Sequence, residues 1–177
     1  HPARDAVANV LTLAAPASVP ATFPATPGVP VSVSPHLALG GSHVCSVLAD
    51  GHVRCFGENG DGQLGNGSTV SVSSSNAQPV PGITDATHVY AYNQTTCVVR
   101  ANGQVACWGS LASFSSTTLP QSSSLPVPMA FTDATELAIG SGTLCAVTRE
   151  GGVACLGEGG SGQLGNGATD DSTAPVA

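Results

Sequence analysis

Six cysteines form three pairs with one spacing, and this repetition constrains the fold of the 177-residue chain more than any other feature. Each pair encloses nine residues, and residues 41–67 align with residues 141–167 without a gap, with 14 of 27 positions identical. Pro-Val pairs recur at steps of 47 to 49 residues. Repetition at such a step indicates an array of similar supersecondary units. The pairs are Cys45 and Cys55, Cys97 and Cys107, and Cys145 and Cys155.

Each cysteine pair brackets a hairpin signal. Gly51, Gly103 and Gly151 lie near the three midpoints, where a three-residue turn would require a glycine with positive φ. Val, Leu, Thr and Ala flank these turns and favour strands. A short strand upstream and an outer strand beginning at the Pro-Val proline complete a set of four. We therefore predict an all-β chain whose three repeats are β-propeller blades of four short antiparallel strands.

The repeats also predict how the chain is divided. Residues 30–79, 80–126 and 127–177 are the three repeats, and residues 1–29 form an extended arm or linker rich in Pro and Ala. The arm is either a tether to a preceding domain or an assembly segment that docks on a neighbour. In the second case the docking residues are Val7, Val10, Leu11 and Leu13.

A second motif follows the first and third cysteine pairs. It reads Gly62-Gln63-Leu64-Gly65 and Gly162-Gln163-Leu164-Gly165, whereas the second repeat continues from Trp108-Gly109 into a different loop. The short strand, the cysteine-bracketed hairpin and this motif together resemble the regulator of chromosome condensation repeat family over residues 30–177.

The resemblance implies a closed form of seven blades. Three repeats are then expected to leave two open blade faces with apolar side chains, so the chain would continue into further blades or abut copies of itself.

The cysteine pairs have two chemical interpretations. A structural zinc site needs four ligands, usually with closer cysteine spacing, whereas two cysteines on facing strands lie within disulfide reach. We predict three bridges, each within its own hairpin, and hence an oxidising compartment: an extracellular or cell-surface location, with the periplasm as the alternative. The resemblance is to secreted bacterial members of the family, in which this pair recurs.

The Gly-rich stretch around Asp61 also has two interpretations. Its oxygen atoms could ligate calcium, but it lacks a distal bidentate carboxylate, and Gly159 and Ser161 replace Asn59 and Asp61 in the third repeat. A tight blade turn, in which the Gln amide satisfies loop backbone groups, explains it better. The five histidines form no His-x3-His pair, and the serines lie in no nucleophile elbow. We predict no catalytic residue, no metal site and no cofactor.

Charge restricts the partners. Eleven acidic residues against four arginines and no lysine give a net charge of −7, which disfavours nucleic acid and excludes a P-loop. No apolar run reaches membrane-spanning length. We therefore expect a non-catalytic, secreted or cell-surface scaffold that binds a protein partner or further copies of itself. The alternatives are an inhibitor of an exported enzyme and part of a hydrolase or lyase with a propeller fold.

Overall fold

Three four-stranded antiparallel sheets, one per repeat, make up the described part of the chain. The structure, a computed structural model, describes residues 36–72, 76–114 and 119–177. No helix in these residues is long and apolar enough to cross a membrane. The strands are β1 (Leu37–Leu39), β2 (His43–Val47), β3 (Val53–Gly57), β4 (Gln78–Pro79), β5 (Ala86–Tyr92), β6 (Thr95–Arg100), β7 (Val105–Ser110), β8 (Ser122–Pro128), β9 (Ala134–Ile139), β10 (Thr143–Thr148), β11 (Val153–Gly157) and β12 (Ser172–Val176).

Each sheet is a simple meander in chain order. The orders are β1-β2-β3-β4, β5-β6-β7-β8 and β9-β10-β11-β12, with every neighbouring pair antiparallel. We call the sheets blades 1, 2 and 3. The prediction of all-β propeller blades, three in number and four-stranded, is confirmed.

The central hairpin of each blade carries its disulfide bridge. Its two cysteines lie directly opposite each other in the strand register, and all three bridges are formed. At the hairpin tips Gly51, Gly103 and Gly151 have φ of 80°, 82° and 84°, which confirms the predicted glycine turn. Each turn is closed by a bond from the glycine N–H to a carbonyl three residues earlier, as from Gly51 to Leu48.

Each blade has two faces, because successive side chains on a strand point in opposite directions. We call the face toward the preceding blade the front face and the opposite face the back face. Paired residues share a face, so Leu39, Val44 and Phe56 all lie on the front of blade 1. The back of blade 1 carries the disulfide-bonded Cys45 and Cys55 with Ala38, Val47 and Val53.

The hydrophobic cores lie between blades, not within them. One core cluster joins the back of blade 1 to front residues of blade 2, among them Val89, Val98 and Trp108. A second joins the back of blade 2, with Val99 and Val105, to the front of blade 3. The disulfides of blades 1 and 2 therefore lie on faces that the next blade covers, whereas the disulfide of blade 3 lies on the corresponding face without a described blade against it.

The outer strands differ from the sequence prediction in where their prolines lie. The outer strand does not begin at its proline: Pro79 ends β4, and Pro126 and Pro175 lie inside β8 and β12. These strands are sheet edges, where a residue without an N–H is tolerated at any position that faces solvent. The arm with Val7, Val10, Leu11 and Leu13 lies outside the described residues.

Candidate functional site

The loop of residues 59–67, which contains the first Gly-Gln-Leu-Gly motif, is held in shape by one buried asparagine. The Asn59 amide donates to the carbonyls of Ser68 and Val70 at 2.9 and 3.1 Å and to Asn66 Oδ1 at 3.3 Å, and its own Oδ1 accepts the Leu64 N–H at 3.0 Å. These bonds engage both N–H groups of the amide and one acceptor site of its oxygen. The Asn59 amide oxygen is therefore engaged within the loop and is a poor candidate for a calcium ligand.

The motif glutamine has two separate tasks. Its side-chain Oε1 accepts the Asp61 N–H at 2.9 Å, and in the third repeat Gln163 Oε1 accepts the Ser161 N–H at 2.8 Å. The backbone carbonyl of Gln63 instead points at blade 2. The motif thus closes its own turn and also presents a hydrogen-bond acceptor to the next blade.

Two donors of blade 2 meet that carbonyl. Trp108 Nε1 donates to the Gln63 oxygen at 2.9 Å, and Thr96 Oγ1 donates to it at 3.0 Å. Trp108 and Thr96 are paired across β6 and β7, so both lie on the front face of blade 2. All three residues are buried. The junction between blades 1 and 2 is therefore built on a satisfied polar contact inside an apolar core.

His43 extends this contact. Its Nε2 lies 2.7 Å from Thr96 Oγ1, and because that hydroxyl gives its hydrogen to the Gln63 carbonyl, His43 Nε2 must carry a proton and donate. The other ring nitrogen, Nδ1, is then unprotonated, and it is buried without a hydrogen-bond partner. Burial lowers the pKa of His43 from its ordinary 6.5 to about 4. His43 is therefore neutral at pH 7.

The junction between blades 2 and 3 uses different chemistry. After β7 the chain forms a 3-10 helix, Ala112–Phe114, which contacts β10 and β11. Leu111 and Phe114 pack in one cluster with Leu144 and Leu156. By register these two leucines occupy the positions of Thr96 and Trp108. The apolar loop that follows β7 thus packs against the apolar pair Leu144 and Leu156 of blade 3.

Hairpin tips provide a further contact that both junctions share. The Gly51 carbonyl accepts the Ala86 N–H at 3.0 Å, and the Gly103 carbonyl accepts the Ala134 N–H at 2.9 Å. A Cβ on Gly51 would lie 2.7 Å from the Thr84 carbonyl oxygen, so the tip packs directly on the first segment of the next blade. The Gly151 tip has nothing within 4 Å of such a Cβ.

Among the described residues, no blade covers the front of blade 1 or the back of blade 3, and we call these two the open faces. Leu37 and Leu39 on the front of blade 1 are 62% and 66% exposed, whereas Val89 and Leu137, at the position of Leu37, are buried. On the back of blade 3, Val153 is 55% exposed. Val53 and Val105 at the same position are 0% and 1% exposed, and Gln163 is also exposed whereas Gln63 is buried.

The first strand of each blade, or the residue just before it, carries an ionisable side chain at the same register position. His36, His88 and Glu136 hold the same register position in successive blades, and the His36 and His88 ring centroids lie 4.1 Å apart. Burial, and secondarily His36, lowers the pKa of His88. Within the described ranges no group of three His, Cys, Asp or Glu side chains is arranged to hold a metal ion.

Comparison with other proteins matches this geometry to one repeat family. A model of the regulator of chromosome condensation (RCC1) repeat matches residues 36–63. The solved structure of human WBSCR16 superimposes with a TM-score of 0.68 at 23% identity over 84% of this chain and 38% of that one. Prp20p of Saccharomyces cerevisiae gives a TM-score of 0.62 at 21% identity over 80% of this chain and 37% of its own. Residues 36–63 thus match an RCC1 repeat, and the described blades share the fold of these RCC1-type propellers.

The match covers part of each relative. Yeast RCC1 (Prp20) in its complex with Kap60 gives a TM-score of 0.56 at 15% identity, over 74% of this chain and 31% of that one. The chain thus spans less than two fifths of these solved structures. A search of curated protein sequences gives no match.

Sequence reasoning missed the chemistry of the blade junctions. The structure buries Trp108 in the core between blades 1 and 2, and its indole N–H bond to the preceding blade was not predicted. Thr96 and His43 were not assigned a role. The sequence did contain a signal for this contact. At two aligned positions the first and third repeats carry apolar residues, and only the second repeat carries hydrogen-bond donors, Thr96 and Trp108.

Proposed function

We propose that this chain is a non-catalytic, secreted or cell-surface scaffold of the RCC1-repeat type that binds protein partners through the open faces of blades 1 and 3. The observation that carries the proposal is the exposure of Leu37, Leu39 and Val153. The register equivalents of Leu37 and Val153 are buried between blades, and those of Leu39 are partly buried there. Exposed apolar surface of this kind on a repeat array normally marks an interaction surface.

Other observations support the protein-binding class and the compartment. Prp20p has binding properties toward Gsp1p and histones, and yeast RCC1 binds Kap60, so propellers of this fold bind proteins. Three disulfide bridges are typical of proteins in oxidising compartments. A net charge of −7 favours protein partners over nucleic acid.

The proposal is tested with a hydrophobic dye and sedimentation of the 177-residue chain. We expect dye fluorescence to rise on binding the folded chain, and to fall in the Leu37→Ser/Leu39→Ser variant and in Val153→Ser. Val70→Ser is the matched control, because Val70 is 68% exposed but lies in the segment between β3 and β4 and not on a strand of either open face. Sedimentation at increasing concentration then shows whether the same substitutions reduce association.

Two results would contradict the proposal. A folded monomer that binds no dye at any concentration would show that the open faces are not interaction surfaces. Hydrolase or lyase activity that stays with the chain through successive chromatography columns would contradict the proposal that the protein is non-catalytic.

A further inference from the structure

The two internal junctions show a matching rule between a loop and the blade that receives it. The Gly-Gln-Leu-Gly loop of blade 1 meets Thr96 and Trp108, which both donate hydrogen bonds to the Gln63 carbonyl. The apolar loop of blade 2 meets Leu144 and Leu156 at the same two positions. Loop type and receiving pair therefore change together.

A physical reason underlies the rule. A carbonyl oxygen carried into a dry interface loses its water and needs a donor from the partner, and leaving it unpaired weakens the contact by about ten- to a hundredfold. Leucines at the receiving positions offer no donor to such a carbonyl. Conversely, an indole N–H placed against Leu111 and Phe114 would itself be unsatisfied. Each pairing is thus favoured over its exchange.

Space adds a second requirement. A Cβ on Gly65 would lie 2.7 Å from Trp108 Nε1, so the indole reaches the carbonyl only because residue 65 has no side chain. Gly165 keeps this glycine, with φ of 71° against 66° at Gly65. Nothing lies within 4 Å of the Cβ position at Gly165.

The back of blade 3 therefore presents the same acceptor without its donors. Gln163 is exposed, and no indole or hydroxyl in the described part of the chain reaches its carbonyl oxygen. The adjacent Val153 and the Gly151 tip are uncovered as well. This face repeats the back of blade 1 in its docking groups but differs in being empty.

A second copy of this chain does not supply the missing donors. The front face of blade 1 carries Val44 and Phe56 at the positions of Thr96 and Trp108. Neither side chain can donate a hydrogen bond. Head-to-tail stacking of two copies would bury the Gln163 carbonyl against apolar groups.

We propose that the open back face of blade 3 selects an RCC1-type blade that carries a hydroxyl and an indole N–H at the positions of Thr96 and Trp108, and rejects blades with apolar residues there, including blade 1 of a second copy. This inference rests on the proposed function, because it identifies the partner of one of its two open faces. The partner is thereby defined by two donors, whether it lies in the same polypeptide or in another.

The test extends the chain by one repeat in two ways. Residues 80–128, which contain Thr96 and Trp108, or residues 129–177, which contain Leu144 and Leu156, are repeated directly after Ala177. Val80 and Met129 both follow the last paired residue of an outer strand, so the two extensions start in the same phase. Amide hydrogen exchange of residues 162–167 and the reduction rate of the Cys145–Cys155 bridge report on docking.

We expect the donor extension to slow loop exchange at least about tenfold and the apolar extension to slow it less than about threefold. Leu144→Thr and Leu156→Trp in the appended apolar repeat should restore the protection. Equal protection by both extensions would overturn the selectivity while leaving the dye-binding test of the proposed function intact. No protection by either would overturn the inference outright.

A second variant decides the matter if an extended chain does not fold. Val44→Thr/Phe56→Trp in the 177-residue chain supplies the donors on the front of blade 1. We expect stronger concentration-dependent association in sedimentation velocity than the parent shows. Gly165→Asn should remove this increase, since Asn tolerates positive φ but fills the space of the indole. Association no stronger than that of the parent would refute the inference.

Discussion

His43 makes the stability of the blade 1–blade 2 junction depend on pH. It is 2% exposed, its Nε2 donates to Thr96, and its Nδ1 is buried without a partner. Protonation would place a second N–H and a positive charge at Nδ1, with no acceptor to receive them. A fall in pH from 7.5 to 5 should therefore weaken this junction.

The expected magnitude comes from the pKa of His43, which burial lowers from 6.5 to about 4. The unfolded chain binds a proton at this residue near pH 6.5, and the folded chain binds it near pH 4, so the free energy of unfolding falls as the pH falls between these values. The stability is fully present above pH 6.5. The whole difference is about 3 kcal/mol, of which about 2 kcal/mol is lost by pH 5.

Urea unfolding at a series of pH values measures this loss, and the fluorescence of the single tryptophan, Trp108, reports on the same junction. His43→Gln keeps an N–H donor for Thr96 and removes the titration, so its stability should vary about 2 kcal/mol less between pH 7.5 and 5. His52→Gln is the control, because His52 lies on an exposed hairpin tip.

The comparison of variants separates His43 from other groups. Burial also lowers the pKa of His88, and that contribution is common to the wild type and to His43→Gln. If both proteins lost the same stability between pH 7.5 and 5, the neutral His43 and its unpaired Nδ1 would not control the pH dependence, and the reasoning would fail.

Three further predictions concern single contacts. Asn59→Ala should lower the free energy of unfolding in urea by about 2–4 kcal/mol, because buried loop groups lose their partners, whereas the exposed Asn102→Ala should change it by about 0.5 kcal/mol or less. Trp108→Phe should cost about 1–3 kcal/mol in thermal unfolding followed by circular dichroism, because a buried carbonyl loses a donor. Limited reductant should open Cys145–Cys155 before the two covered bridges, as measured by alkylation and mass spectrometry, since this bridge lies on the open face; simultaneous opening of all three would contradict that placement.

Much of the fold could be predicted from the sequence because the same local signals occur three times. The cysteine pairs fix the hairpin register, and a glycine at each tip permits the turn, so the four-stranded blade follows from local chemistry. The outer strand was less well placed. An edge strand has one hydrogen-bonded side, which leaves its limits and its proline weakly specified.

The blade junctions could not be predicted, because they depend on contacts between residues far apart in the chain. Gln63 and Thr96 are 33 residues apart, and Gln63 and Trp108 are 45 apart. In the local sequence pattern, Gln63 is an ordinary turn residue, and Thr96 and Trp108 are ordinary strand residues. The pairing of β6 with β7 places Thr96 and Trp108 on one face of blade 2. Only the stacking of blade 2 on blade 1 brings both side chains to the Gln63 carbonyl.

A comparison of the two Gly-Gln-Leu-Gly loops distinguishes the conformation of the motif itself from the effect of the blade that packs against it. In both, the glutamine Oε1 accepts a backbone N–H two residues earlier, and the flanking glycines have closely similar φ. The loop that meets blade 2 is buried, whereas the loop of blade 3 has no blade against it. The same backbone conformation therefore forms with and without a partner. Because the loop already has this conformation without a described blade against it, a matching blade would change the loop backbone around Gln163 little, and docking would cost little conformational entropy of the loop.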